Sequence, residues 1–160
     1  LVVGMEEHTE SRTDPTERTL VITREFDAPR ALVFRAWIDP RHVVEWWGPE
    51  GFVITSCTMD VRPGGAWRIC MRAPDGAEHW HGGVFREVVP PERLVFTHAW
   101  DEADGMPGHE TLITVTFAER GQRTLLTFEQ AVFESVSARD GHHGGWSECF
   151  DHLAEHLARS

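Results

Sequence analysis

The sequence predicts a single α+β domain: a curved antiparallel sheet of about seven strands, with two short helices and one long C-terminal helix, around an apolar cavity. Three observations carry this expectation. Residues 52–130 alternate strand-like runs with turns rich in Gly and Pro. Residues 27–49 hold two short helical segments, each opened by a proline. Near the C-terminus Trp146, Phe150, Leu153 and Leu157 recur at i, i+4, i+7 and i+11, one continuous apolar stripe.

Residues 1–18 are polar and unpatterned, and they read as a mobile tail ahead of a domain over 19–160. The run from Thr19 to Phe26 is rich in β-branched residues and reads as the first strand. Asp27-Ala28-Pro29 then turns the chain, and Pro29 suits a first helical position because its fixed φ is already helical. Leu32, Val33, Ala36 and Trp37 follow at helical spacing. Asp39 caps a second short helix that runs to Trp46-Trp47 and stops at Gly48-Pro49. Further strands are expected at about 52–61, 65–73, 77–89, 92–100, 109–118 and 123–132. Pro63-Gly64 suits a type II turn, with glycine where φ is positive. The final helix is expected from about residue 140 to 159, with His142-His143 ahead of Gly144-Gly145 as a loop feature at its start. Glu148, Asp151, His152, Glu155 and His156 form its solvated side.

Composition excludes several functions. Fifteen basic against 26 acidic residues give a net charge of −11, and the arginines are scattered. Nucleic acid and anionic membrane surfaces both need a basic stripe, so neither is an expected partner. Cys57, Cys70 and Cys149 lack paired spacing and read as free thiols of a reducing compartment. No apolar run approaches the roughly 18 residues of a membrane span. The opening Leu1-Val2-Val3-Gly4 is too short for a signal peptide, so the cytoplasm is the expected location. The glycines sit in hairpins rather than in G-x-G-x-x-G before a helix, and no cofactor is expected.

The turn at Pro74-Asp75-Gly76 allows Met71 to face His79, Ile69 to face His81 and Trp67 to face Gly83. The Pro90-Pro91 turn allows Phe85 opposite Phe96, Gly83 opposite His98 and His81 opposite Trp100. With a side-chain period of two, these residues share the concave face. Ile113 and Phe128 extend it, and Trp46, Trp47, Met59, Trp146 and Phe150 are placed to complete a ligand-binding lining. Trp80 is the exception, an aromatic on the outer face.

Five features in this order and spacing resemble one family. They are Asp27-Ala28-Pro29, Trp46-Trp47-Gly48, Asp60-x-Arg62-x-Gly64-Gly65, the run from Gly83 to Thr97, and Gly145-Trp146 leading into Phe150-Asp151-x-Leu153. The chain from about 19 to 158 is similar to proteins of the activator of heat-shock-protein-ninety ATPase homologue type, in the START-like (SRPBCC) superfamily. The resemblance implies a helix-grip fold with a cavity between sheet and long helix. It implies no single activity, since superfamily members carry lipids, bind or cyclise polyketide-like molecules, or contact a chaperone. The eukaryotic co-chaperones carry a separate N-terminal domain, which makes chaperone contact the lesser expectation here.

His79, His81 and His98 on the concave face are the sharpest chemical signal. Histidine titrates near neutrality and can act on a bound carbonyl; His81 and His98 are the catalytic candidates, with Glu87 either their carboxylate partner by parity or a strand-end residue near water. No Cys or Asp stands in register with them, so no metal is expected. His152-Leu153-Ala154-Glu155-His156 misplaces the glutamate of a zinc-protease helix. The preferred reading is a binding module for a small hydrophobic molecule, as monomer or homodimer. A cyclase- or hydratase-type enzyme and a protein-interaction module are the alternatives.

Overall fold

The computed structural model describes residues 14–160. Most of the expected tail therefore lies outside the described residues, but its end does not. Asp14 caps a single 3-10 turn over Pro15–Arg18, and Arg139 donates to the Glu17 carbonyl at 2.6 Å.

The elements are β1 (Leu20–Phe26), α1 (Arg30–Ile38), α2 (Pro40–Trp46), β2 (Val53–Met59), β3 (Ala66–Arg72), β4 (Glu78–Val89), β5 (Arg93–Trp100), β6 (Thr111–Arg120), β7 (Arg123–Ala131) and α3 (Val136–Ala158). The strands form one antiparallel seven-stranded sheet in the order β1-β7-β6-β5-β4-β3-β2. Pro29 stands at the N-cap of α1 rather than inside it, one residue earlier than expected. Asp39 caps α2 by accepting from the Arg41 N–H at 3.0 Å. Positive φ at Gly48 lets the chain leave α2 sharply, a conformation that an L side chain resists.

Register follows the turn chemistry. Met71 pairs with His79, Ile69 with His81, Trp67 with Gly83, His81 with Trp100 and Phe85 with Phe96. Gly83 leaves a gap that Trp67 uses: its indole N–H donates to the Thr97 carbonyl at 3.0 Å. Beyond Phe85 a β-bulge shifts the pairing, so Glu87 faces Val95 and Val88 faces Leu94. The extra residue turns Val88 inward against the core and Glu87 outward, where it pairs with Arg93 at 3.2 Å. Glu87 is thus not a partner of the histidines.

Trp80 lies opposite Cys70 on the outer face, with the Arg68 guanidinium 5.2 Å from its ring. Arg68 is itself held by two hydrogen bonds of 2.8 Å to Asp101. The outer-face aromatic therefore covers a cation held in an ion pair, and Cys70 beside it is fully buried.

The core centres on Trp37 of α1. Its ring lies 4.9 Å from that of Trp46, 6.2 Å from Phe128 and 6.0 Å from Phe150. α3 starts at Val136, earlier than the glycines suggest, because Ser135 caps it by accepting from the Ala138 N–H at 3.0 Å. Gly141, Gly144 and Gly145 lie inside the helix. Each costs about 1 kcal/mol relative to alanine, so burial of the Trp146-to-Leu157 stripe must hold the helix together. Among the described residues no helix is long and apolar enough to cross a membrane.

Candidate ligand-binding site

Between α3, the loop after α2 and the concave side of β3–β5 lies a cavity of about 460 Å³. Its origin is a change of residue size along α3. Ala138, Gly141, Gly145 and Cys149 line the cavity from the first 14 of the 23 residues of the helix. Farther on, Phe150, Leu153 and Leu157 fill the space against the sheet. Trp47, Phe52, Met71, Trp100 and Trp146 supply the apolar wall, with Gly48 and Pro49 at the loop. That loop is tied to α3 twice. The Glu50 N–H donates to the Glu148 carboxylate at 2.9 Å. The His152 ring reaches the Gly48 carbonyl at 3.0 Å and the Glu50 carboxylate at 2.9 Å.

Two histidines inside the wall, His81 and His98, are held neutral by burial, and a third, His142, shares the hydrogen-bond pattern of His81. The Trp47 indole N–H donates to Nε2 of His81 at 2.9 Å, so that nitrogen is unprotonated and the proton sits on Nδ1. Burial pushes the His81 pKa from 6.5 down to about 3, and the nearby His79 backbone offsets only part of this. Nδ1 itself makes no hydrogen bond of acceptable geometry. His142 repeats the arrangement: Nε2 accepts from the Trp100 indole at 2.9 Å, while Nδ1 donates to the Ala138 carbonyl at 2.9 Å. His98 is 3% exposed, and burial, reinforced by His81 and His142, holds its pKa well below 6.5. Its ring makes no side-chain hydrogen bond among the described residues. His79 is exposed at the rim, its ring 6.1 Å from Phe52.

Of the expected lining, Trp47, Met71, His79, His81, His98, Trp100 and Trp146 do border the cavity. Trp46, Trp67, Ile69, Phe85, Phe96, Ile113, Phe128 and Phe150 do not; they are core, packed directly or through neighbours around Trp37. Met59 is partly buried against that core, away from the cavity. The concave face is longer than the cavity, and the α1 tryptophan occupies much of it. Sequence reasoning missed Phe52, Ala138, Gly141, His142, Gly145 and Cys149 as lining. The available signal was the small-residue spacing Ala138, Gly141, Gly145, Cys149, hidden by reading the glycines as loop. Cys149 is no nucleophile, since burial raises its thiol pKa to about 12. Among the described residues no group of three or more His, Cys, Asp or Glu is placed to hold a metal ion.

Comparison with known proteins gives a consistent picture. The family model described as activator of Hsp90 ATPase homolog 1-like protein matches residues 27–158. A crystal structure of a protein from Chromobacterium violaceum is 32% identical, covers 88% of this chain and 96% of its own, and superposes with a TM-score of 0.75. A solution structure of a protein from Arthrobacter aurescens is 28% identical over 92% of this chain and 90% of its own, with a TM-score of 0.82. The crystallised AHSA1 protein from Silicibacter pomeroyi is 25% identical over 88% and 97%, with a TM-score of 0.80. No curated protein matches the chain.

Proposed function

The chain belongs to the activator of Hsp90 ATPase homolog 1-like family, and from that premise we propose that it binds a small hydrophobic molecule in the cavity under α3, for carriage, sequestration or sensing. The observation that carries this reading is the run of small residues on α3 opposite Trp47 and Trp100, with Trp146 of the same helix at its edge. A helix that needed only stability would fill that face. The volume, about 460 Å³, is in the range of pockets that enclose small ligands. Acid–base catalysis is the weaker reading, because His81 already accepts a hydrogen bond and Glu87 is on the other face. The chaperone role in the family's description has no specific counterpart in this cavity. The free thiols Cys57, Cys70 and Cys149 support a reducing compartment such as the cytoplasm.

The test is titration with the neutral fluorescent probe N-phenyl-1-naphthylamine. The wild-type protein is expected to bind it with saturable enhancement, and Gly145→Leu, which projects a side chain into the cavity, is expected to weaken binding at least tenfold. Equal binding by the variant would place the probe elsewhere and remove the cavity from the argument.

A further inference from the structure

The protein itself uses up almost all the polar groups of the cavity wall. The indole N–H groups of Trp47, Trp100 and Trp146 are bonded to His81, His142 and Gln130 at 2.9, 2.9 and 2.8 Å. The acceptor nitrogen of His81 and both nitrogens of His142 are engaged in the same way. His98 is different. It is 3% exposed, its ring lies 5.3 Å from that of His81 and 5.4 Å from that of Trp100, and it borders the cavity without any side-chain hydrogen bond among the described residues. A neutral imidazole offers one donor and one acceptor; the His98 ring meets only its own backbone, and the nitrogen left over in a buried place is unfavourable. A ligand group that meets it recovers that loss.

Cationic partners are missing from the same wall. The sequence has no lysine, and among the described residues no arginine lines the cavity. Arg68, on the outer face of β3, is committed to Asp101. A carboxylate entering beside His98 would lose its water and gain no counter-charge.

We propose, resting on the cavity as the binding site, that it selects uncharged ligands: a flat apolar body carrying one hydroxyl or carbonyl that hydrogen-bonds His98, with carboxylates of the same shape rejected. The aromatic wall accepts the body and His98 reads the single polar group. This separates the protein from carriers of ionised fatty acids, which need a cation or a cluster of donors at the head group.

The experiment is displacement of N-phenyl-1-naphthylamine at pH 7.5 by 2-naphthol, 2-methylnaphthalene and 2-naphthoate. Naphthol is expected to compete at least fivefold more strongly than methylnaphthalene, and naphthoate at least twentyfold more weakly than naphthol. In His98→Phe, or His98→Leu if the larger ring prevents folding, naphthol should fall to the level of methylnaphthalene. Naphthoate competing as well as naphthol overturns the charge selection, a result that needs no variant. A naphthol advantage that survives loss of His98 overturns its role. If none of the three displaces a probe that does bind, this inference fails while the cavity reading stands. If the probe itself does not bind, both fail.

Discussion

The indole N–H of Trp47 donates to Nε2 of His81 at 2.9 Å, with the two rings nearly parallel at 16° and their centroids 6.0 Å apart. This contact joins the end of α2 to the first third of β4, fixes the His81 tautomer and closes one wall of the cavity. Trp47→Phe keeps most of the apolar contact but leaves the buried His81 nitrogen without a donor. The expected loss is about 1–3 kcal/mol of unfolding free energy, read by urea denaturation. A loss below about 0.5 kcal/mol would mean that water replaces the indole at no cost.

Stability should peak near neutral pH and fall on both sides. His81 and His98 have folded pKa values below 6.5, so below pH 6.5 the unfolded chain binds more protons than the native one. Each then removes about 1.4 kcal/mol of stability per pH unit as the pH falls. For His81 this continues down to about pH 3. His152 acts in the opposite sense: its bond to Glu50 raises its pKa, so its contribution is full below 6.5 and is lost as pH rises through the raised value. Urea midpoints between pH 4.5 and 9 measure both limbs. His98→Phe should flatten the acid limb and His152→Gln the alkaline one; an unchanged acid limb in His98→Phe would show that this ring titrates normally.

Glu87→Gln tests the placement made by the bulge. The carboxylate and its partner Arg93 are 51% and 42% exposed, and such surface pairs contribute at most about 1 kcal/mol. Stability should change by less than about 0.5 kcal/mol, and binding of N-phenyl-1-naphthylamine by less than about twofold, the shift of a residue outside the site. A tenfold binding defect would return Glu87 to the cavity.

Two glycines should respond in opposite directions to alanine. At Gly83 an added Cβ would meet the Thr97 carbonyl oxygen at 2.0 Å, where backbone cannot give way. Gly83→Ala is expected to cost about 3 kcal/mol or to prevent folding. At Gly144 nothing lies within 4 Å of the new atom, so Gly144→Ala should stabilise α3 by about 1 kcal/mol. Thermal unfolding of the pair reads both, and a destabilised Gly144→Ala would show that the helix is not formed there.

The hairpins were legible because Pro-Gly and Pro-Pro turns leave few pairings and a one-residue slip would reverse every buried side chain. That is why His81 opposite Trp100 and Met71 opposite His79 could be placed from the chain alone. Glu87 could not, since alternation counts residues and a bulge at Arg86 adds one that no pattern announces. Nor could His142, whose neighbouring glycines carry the local signature of a loop while Ser135 and the buried stripe impose a helix.

The order of elements, the concave face and its histidines are properties of sequence, because turn chemistry and side-chain periodicity act over a few residues. The location of the cavity belongs to tertiary structure alone. Trp37 fills one part of the concave face and the small residues of α3 leave another part open, and those two segments meet only when the chain has folded. The same holds for the protonation of His81 and His98, which depends on burial and on the tryptophan that reaches His81 from another element.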